Sequence, residues 1–413
     1  MQRVVVTGMG GVTSLGEEWN TISEKMRAGE TGIQRMESWD FYDGLNTRLA
    51  GPVEGFNIDK RYSRKALRSM GPVSKMAVYA TEQALEMAGL LEDPVIKSGK
   101  MGVAYGSSFG STKPVIAFTD LIRDGHSRDL TATSYVKMMS HTTAVNIGVF
   151  FGLAGRVIPT SSACTSGSQG IGYAYEAIKY GMQDLMVAGG AEELCPTMAA
   201  VFDTLYATSI KNDTPHLSPR PFDKDRDGLV IGEGAATLVL ESYDHAVARG
   251  APILAEIVGF STNSDGRHIT NPTQATMEVA MQGALDNAGL IASDIDFISG
   301  HGTATEQGDI AETHATDKVM GSNIPIHSLK SYFGHSLGAC GAIEAWLGIE
   351  MMREGWFAPT VNLDNVDDAC AEIDYVTGEG RNVAVRHLMS NNFAFGGINS
   401  SLIFRNAAES GSS

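Results

Sequence analysis

The sequence predicts an α/β protein assembled from two similar halves, and three observations carry that prediction. Short apolar runs that end in glycine recur along the 413 residues, at Val4–Gly8, Gly102–Gly106, Asp184–Gly189 and Phe297–Gly300. Most are followed by stretches of helical periodicity, and none has the polar alternation of a strand with one wet face. Such strands are expected to be buried on both sides. The third observation is a faint duplication whose spacing is too long for a solenoid repeat.

Taken in order, the first run (Val4-Val5-Val6-Thr7-Gly8) is too short to be a signal peptide. Gly8-Met-Gly-Gly-Val-Thr13 begins like a dinucleotide fingerprint but lacks its third glycine. Lys60, Arg61, Arg64, Lys65 and Arg68 are expected to share a helix. After the second run, Gly106-Ser-Ser-Phe-Gly110 matches a hydrolase nucleophile elbow, but Lys113-Pro114 disfavours a helix continuing from that serine. Ser161-Ser-Ala-Cys164 leads into a helix with Ile171, Ala174 and Ile178 on its apolar face, ended by Gly181. Gly232-Glu-Gly-Ala235 opens a strand through Leu240.

The second half repeats these steps. Ser328-Leu-Lys-Ser331 leads through Gly334-His335 into a helix that closes near Gly355, and Phe395-Gly-Gly-Ile398 opens a strand through Phe404. The halves are therefore expected to span 1–250 and 251–406, with a small, polar, loose tail at 407–413.

Composition excludes several classes of function. With 43% hydrophobic and 19% charged residues the chain is globular, and a net charge of −17 leaves no basic excess for nucleic acid. An acidic partner would need a local basic patch on such a surface. Cys164, Cys195, Cys340 and Cys370 form neither a disulfide framework nor a paired zinc motif, and no run is long enough to span a membrane. The simplest setting is reducing and cytoplasmic.

Three residues stand out for chemistry. Cys164 lies at a helix start among Ala163, Thr165, Ser166 and Gly167, where the dipole should lower the thiol pKa and small neighbours admit a substrate. For an arbitrary cysteine a buried, inert thiol is the more common case. His301, in Ser299-Gly-His-Gly-Thr-Ala-Thr305, follows a strand end and is flanked by glycines, with Thr303 and Thr305 on one side of an extended segment. A turn histidine bonded to backbone is equally compatible with that context. His335 is expected at a helix start, where a neutral imidazole is favoured, with Lys330 just before it. The turn in Phe393-Ala-Phe-Gly-Gly-Ile-Asn399 offers backbone N–H groups for an oxyanion hole, or serves only as a hairpin.

Together these segments resemble the β-ketoacyl-acyl-carrier-protein synthases of the elongating type. The likeness rests on Ser-Ala-Cys-Thr-Ser-Gly around Cys164, His-Gly-Thr-x-Thr-x-x-Gly-Asp from His301, and Lys-Ser-x-x-Gly-His-x-x-Gly-Ala from Lys330. Arg220–Gly228 and Ser390–Gly397 resemble further family segments in the same order. The resemblance implies a thiolase fold, two βαβαβ halves in a five-layered αβαβα arrangement, and a homodimer.

It also implies a decarboxylative condensation. Cys164 would take an acyl group from acyl carrier protein, and His301 and His335 would assist loss of CO₂ from malonyl carrier protein. Cys164 and Phe395 would supply the oxyanion hole. Lys330 and Glu312 would hold the histidines, and Thr303 and Thr305 would contact phosphopantetheine. Phe393 and Phe395 would gate the site, with Phe109 and Met138 at the acyl pocket. Arg61, Arg64, Lys65 and Arg68 are expected to dock the carrier protein. No metal or other cofactor is required.

Ala394 and Ile398 depart from the family's usual glycine and threonine in the gating segment. Phe109, Met138-Met139, His141-Thr-Thr143, Val157-Ile-Pro-Thr160 and Ser331-Tyr-Phe-Gly334 look most like synthases of aryl polyene pigment clusters. Housekeeping fatty acid elongation is the alternative. Three rivals remain: thiolase, which has a second cysteine near Phe393–Asn399; a partner in a ketosynthase/chain-length heterodimer; and a cysteine hydrolase.

Overall fold

The computed structural model describes residues 1–409. Ten strands form the frame: β1 (Val4–Val12), β2 (Met101–Gly106), β3 (Val157–Thr160), β4 (Leu185–Glu192), β5 (Gly234–Ser242), β6 (Ala255–Ser264), β7 (Phe297–Ser299), β8 (Pro325–His327), β9 (His387–Ala394) and β10 (Ile398–Asn406). The duplication is explicit in their order. The first half runs β3-β2-β4-β5-β1 and the second β8-β7-β9-β10-β6, the same permutation of five strands. In each half the first three of that order are parallel and the last two antiparallel. The halves join where Val4–Val6 of β1 pair with Ala255–Ile257 of β6.

Six helices complete the layers. α1 (Pro72–Met87) and α2 (Thr142–Phe151) cover the outer face of the first half, and α4 (Gln274–Ala288) with α5 (Glu306–Met320) cover that of the second. Between the two halves lie α3 (Ser166–Lys179) and α6 (Cys340–Glu354). Residues Cys340–Met352 of α6 are all buried, as a helix with protein on every side must be. The result is the five-layered thiolase fold. β1, β2, β4 and β5 are buried along their whole length, which is why their sequences carry no alternation.

α3 and α6 meet on small residues. A Cβ at Gly341 would come within 3.0 Å of the Ser168 backbone N, and one at Gly167 equally near the Ala342 N. This close crossing brings the segment before α3, which holds Cys164, against the segment before α6, which holds His335.

Several local expectations change. Lys60–Arg68 is not a continuous helix: only Arg64–Leu67 form one turn, capped by the Ser63 hydroxyl, so Lys60 and Arg61 lie outside it. His335 is not at the start of an α-helix; it lies between the short turns Lys330–Phe333 and Leu337–Ala339, and α6 begins at Cys340. In the tail, Ala407–Glu409 close a 3-10 turn, and the rest of 407–413 falls outside the described residues. Lys113 opens a separate helix, Lys113–Asp124, with Pro114 in its first turn. Among the described residues no helix is long and apolar enough to cross a membrane, and all four cysteines are free.

Candidate active site

Three carboxyl-side strand ends and one hairpin converge. After β3 the chain turns through Ala163, at φ 48°, and presents Cys164 just before α3. His301 follows β7, His335 precedes α6, and Phe395 sits in the turn between β9 and β10. That turn uses positive φ at Gly396 and Gly397, 88° and 67°, which glycine adopts at little cost. The segment is a hairpin whose Phe395 N–H, together with that of Cys164, favours negative charge on the Cys164 sulfur and pulls its pKa down.

His335 Nε2 lies 3.0 Å from Cys164 Sγ, and the two imidazoles meet edge to face with centroids 5.2 Å apart. All three side chains are buried. Burial first, then the nearby Lys330 ammonium, pushes both histidines well below the usual imidazole range. Both are neutral near pH 7. One ligand atom from each of Cys164, His301 and His335 lies within 4.8 Å of the others, a spacing a metal ion could use. The charge on Lys330 that disfavours imidazolium would oppose a dication there too.

The cysteine departs from expectation. Burial pushes the Cys164 thiol up to about 11, outweighing Lys330 and the two backbone N–H groups that pull it down. The resting group is a thiol hydrogen-bonded to a neutral imidazole, not a free thiolate.

Lys330 pairs with Glu344, both buried, rather than touching either histidine. Glu312 holds the backbone, not a ring: its two oxygens accept from the N–H groups of His301 (2.6 Å) and Gly302 (2.7 Å). Asp309 does the same for Thr303 and Ala304. Burial raises Glu312 to about 7 and Asp309 to about 6.

A cavity of about 420 Å³ opens onto Cys164, His301 and His335. Thr303 and Thr305 line it with hydroxyls 2.8 Å apart, as do Phe393 and Phe395, the latter packed 5.0 Å from the Phe202 ring. Phe109 and Met138 do not line it. A Cβ at Gly110 would strike the Met138 and Met139 carbonyls, so the loop closes on that backbone and leaves the Phe109 ring 45% exposed. Of the basic group, Arg61 is engaged by Glu82 and by the Tyr62 and Tyr79 rings. Arg64, Lys65 and Arg68 are exposed, and none lines the cavity.

Sequence reading missed Glu344, Asn392, Cys340 and Glu192. Cys340 Sγ donates to the Cys164 carbonyl at 3.3 Å. Glu192 accepts from the N–H groups of Ser108 and Gly338 and from the Ser107 hydroxyl, tying the Phe109 loop to the turn after His335. Glu344 sits in the apolar run Cys340–Ile349 that opens its helix, where it is the one acid and signals a buried partner. The others carry no comparable mark.

Comparison with known proteins agrees with this geometry. Family models match in tandem: "Beta-ketoacyl synthase, N-terminal domain" over residues 1–246 and "Beta-ketoacyl synthase, C-terminal domain" over 254–364. The chain belongs to the β-ketoacyl synthase family. A curated relative of this synthase, 3-oxoacyl-acyl-carrier-protein synthase 2 of Vibrio cholerae, is 37% identical over 412 residues, 98% of this chain and 99% of its own. A crystal structure of a β-ketoacyl synthase from Burkholderia phymatum is 59% identical with TM-score 0.97, covering 98% of this chain and all of that one. The ishigamide ketosynthase/chain length factor is 30% identical with TM-score 0.90, over 98% of this chain and 99% of its own. The β-ketoacyl synthases are condensing acyltransferases, and the thiol, two neutral histidines and paired N–H donors suit that chemistry.

Proposed function

We propose that this synthase moves an acyl group from acyl carrier protein to Cys164 and joins it to malonyl carrier protein, giving 3-oxoacyl carrier protein. The observation that carries the reading is the 3.0 Å contact between Cys164 Sγ and His335 Nε2, beside His301 and under two backbone N–H groups. In the first half, sulfur attacks the thioester carbonyl and its proton passes to His335. The oxyanion forms against the Cys164 and Phe395 N–H groups, and the departing phosphopantetheine sulfur takes the proton back.

In the second half, malonyl thioester loses CO₂. The C–C electron pair becomes an enolate, whose oxygen needs neutral N–H donors; His301 and His335 supply them. The enolate carbon attacks the acyl carbonyl, the C–S bond to Cys164 breaks, and the thiolate released takes up one proton from solvent to restore the thiol. Nothing in this sequence requires a metal or redox group. Thr303 and Thr305 would meet the phosphopantetheine arm along the cavity wall, and Phe393 and Phe395 would gate it.

We assign the pathway to aryl polyene chain growth in preference to housekeeping fatty acid elongation. What supports that reading is the sequence likeness of Phe109, Met138-Met139 and the segment from His141 to aryl polyene synthases, not a place on the cavity wall. The chain is expected to act as a homodimer. β3 is an edge strand whose Val157 is 49% exposed, and Phe109, Ile116 and Tyr135 of the same half are exposed as well. Likeness to the ishigamide ketosynthase/chain length factor favours a heterodimer with a ketosynthase-like subunit as the second reading.

Intact mass decides the first half directly. The protein is mixed with acyl carrier proteins bearing saturated, polyenoic and aryl acyl groups, beside Cys164→Ala. A gain of one acyl group, absent in the variant, is expected, largest for polyenoic or aryl donors. No gain with any donor in the folded protein overturns the reading, and preference for saturated chains overturns the pathway.

A further inference from the structure

The two site histidines are held in different ways. His335 Nδ1 has no hydrogen-bond partner among the described residues. Its single proton is free to sit on either nitrogen, so Nε2 can accept from the Cys164 thiol in one step and donate in another. His301 Nδ1 instead faces the side-chain amide of Asn392, with Nδ2 at 3.5 Å.

Asn392 is fully buried on β9. The same Nδ2 donates to Glu344 Oε2 at 2.6 Å, while the Lys330 ammonium binds Glu344 Oε1. That carboxylate fixes which way the amide points. Turned over, Oδ1 would face the carboxylate oxygen with no proton between them, an unscreened repulsion in a buried site. The NH₂ end must face Glu344, and its second N–H is then presented towards His301 Nδ1 at 3.5 Å, with Cys340 Sγ farther off at 3.8 Å. On the far side, a Cβ at residue 341 would lie 2.4 Å from Asn392 Oδ1. Gly341 thus leaves the space in which the amide sits.

We propose that Asn392 is the positioning residue that keeps the proton of His301 on Nε2. An N–H directed at Nδ1 leaves no room for a second proton between the two nitrogens, so the ring's only proton resides on the other side. His301 becomes a fixed N–H donor, whereas His335 remains free to relay a proton. Burial and the Lys330 charge keep both rings neutral, so a fixed tautomer amounts to a fixed donor. The Lys330–Glu344 pair acts on His301 through this amide, which accounts for a buried ion pair that touches neither ring.

The inference rests on the condensation reading and divides the two half-reactions. Acyl transfer uses the sulfur, His335 and the backbone N–H groups, none of which Asn392 contacts. Decarboxylation needs the His301 donor.

The test uses the full chain with acyl and malonyl carrier proteins, in wild type, Asn392→Ala and Asn392→Ser. Single-turnover acylation of Cys164 is expected to stay within about twofold, while condensation from preformed acyl-enzyme falls about tenfold or more, the scale of weakening one oxyanion donor. Serine retains a single donor and should fall between alanine and wild type.

Nitrogen-15 spectra of labelled histidine supply a readout that a packing defect would not move. In wild type, His301 Nδ1 should be the unprotonated nitrogen; in the alanine variant a protonated Nδ1 population should emerge. Equal loss of both half-reactions, loss of neither, or a protonated Nδ1 in wild type each overturns the proposal. The last measurement needs no variant, so a folding failure does not shield the idea. A wild type that accepts no acyl group condemns the functional reading instead, and leaves the tautomer result standing.

Discussion

At the scale of single residues, the informative disagreement concerns Cys164. A helix start lowers a thiol pKa, but this sulfur is also buried, and desolvation wins, holding it up to about 11. The sign of the consequence is definite. Only the thiolate alkylates quickly, and its fraction grows about tenfold per pH unit below the pKa. Alkylation of Cys164 by iodoacetamide, followed by mass, should therefore climb steadily from pH 7 to 10. A plateau reached near neutrality would mean a standing thiolate–imidazolium pair and would contradict the neutral resting state. Substrate does not need a standing thiolate, because His335 at 3.0 Å can take the proton as the carbonyl arrives.

At the scale of elements, the site depends on how closely α3 and α6 cross. Gly341→Ala would place a methyl 2.4 Å from Asn392 Oδ1 and 3.0 Å from the Ser168 backbone N, and neither neighbour is a flexible side-chain end with room to move. Overpacking of this kind costs about 1–3 kcal/mol. The expected result is a lower unfolding midpoint together with a loss of condensation greater than that of acyl transfer, measured on the same preparation. An unchanged midpoint would show that the helices can part without strain.

The elements themselves were largely legible. Glycine-ended apolar runs located β1, β2, β4 and β7, and the matched openings at Gly234 and Ile398 located the two long strands whose pairing makes the halves equivalent. Local sequence failed where tertiary contacts decide the outcome. Lys60–Arg68 has helical composition, yet only one turn forms. Glu312 sits at the right place, yet its oxygens go to backbone N–H groups that no pattern reveals. Asn392 was invisible for the same reason: its partners, Glu344 and His301, are 48 and 91 residues away.

At the scale of the whole molecule, charge sets the problem. A protein of net charge −17 repels an acidic carrier protein at long range, so productive encounter needs a patch of opposite sign. Arg61 is already committed to Glu82 and two tyrosine rings, which leaves Lys60, Arg64, Lys65 and Arg68 as the exposed cations of that segment. Because these residues lie outside the cavity, they can act on docking without acting on chemistry. Reversing Lys65 and Arg68 to Glu should raise KM for acyl carrier protein about tenfold or more, leave kcat unchanged, and flatten the salt dependence of kcat/KM. An acyl-pantetheine donor without the carrier protein provides the control: its kinetics should not respond to the reversal. If KM for the carrier protein also fails to respond, the partner docks elsewhere. A fall in kcat with both donors would mean that the segment supports the fold rather than the encounter.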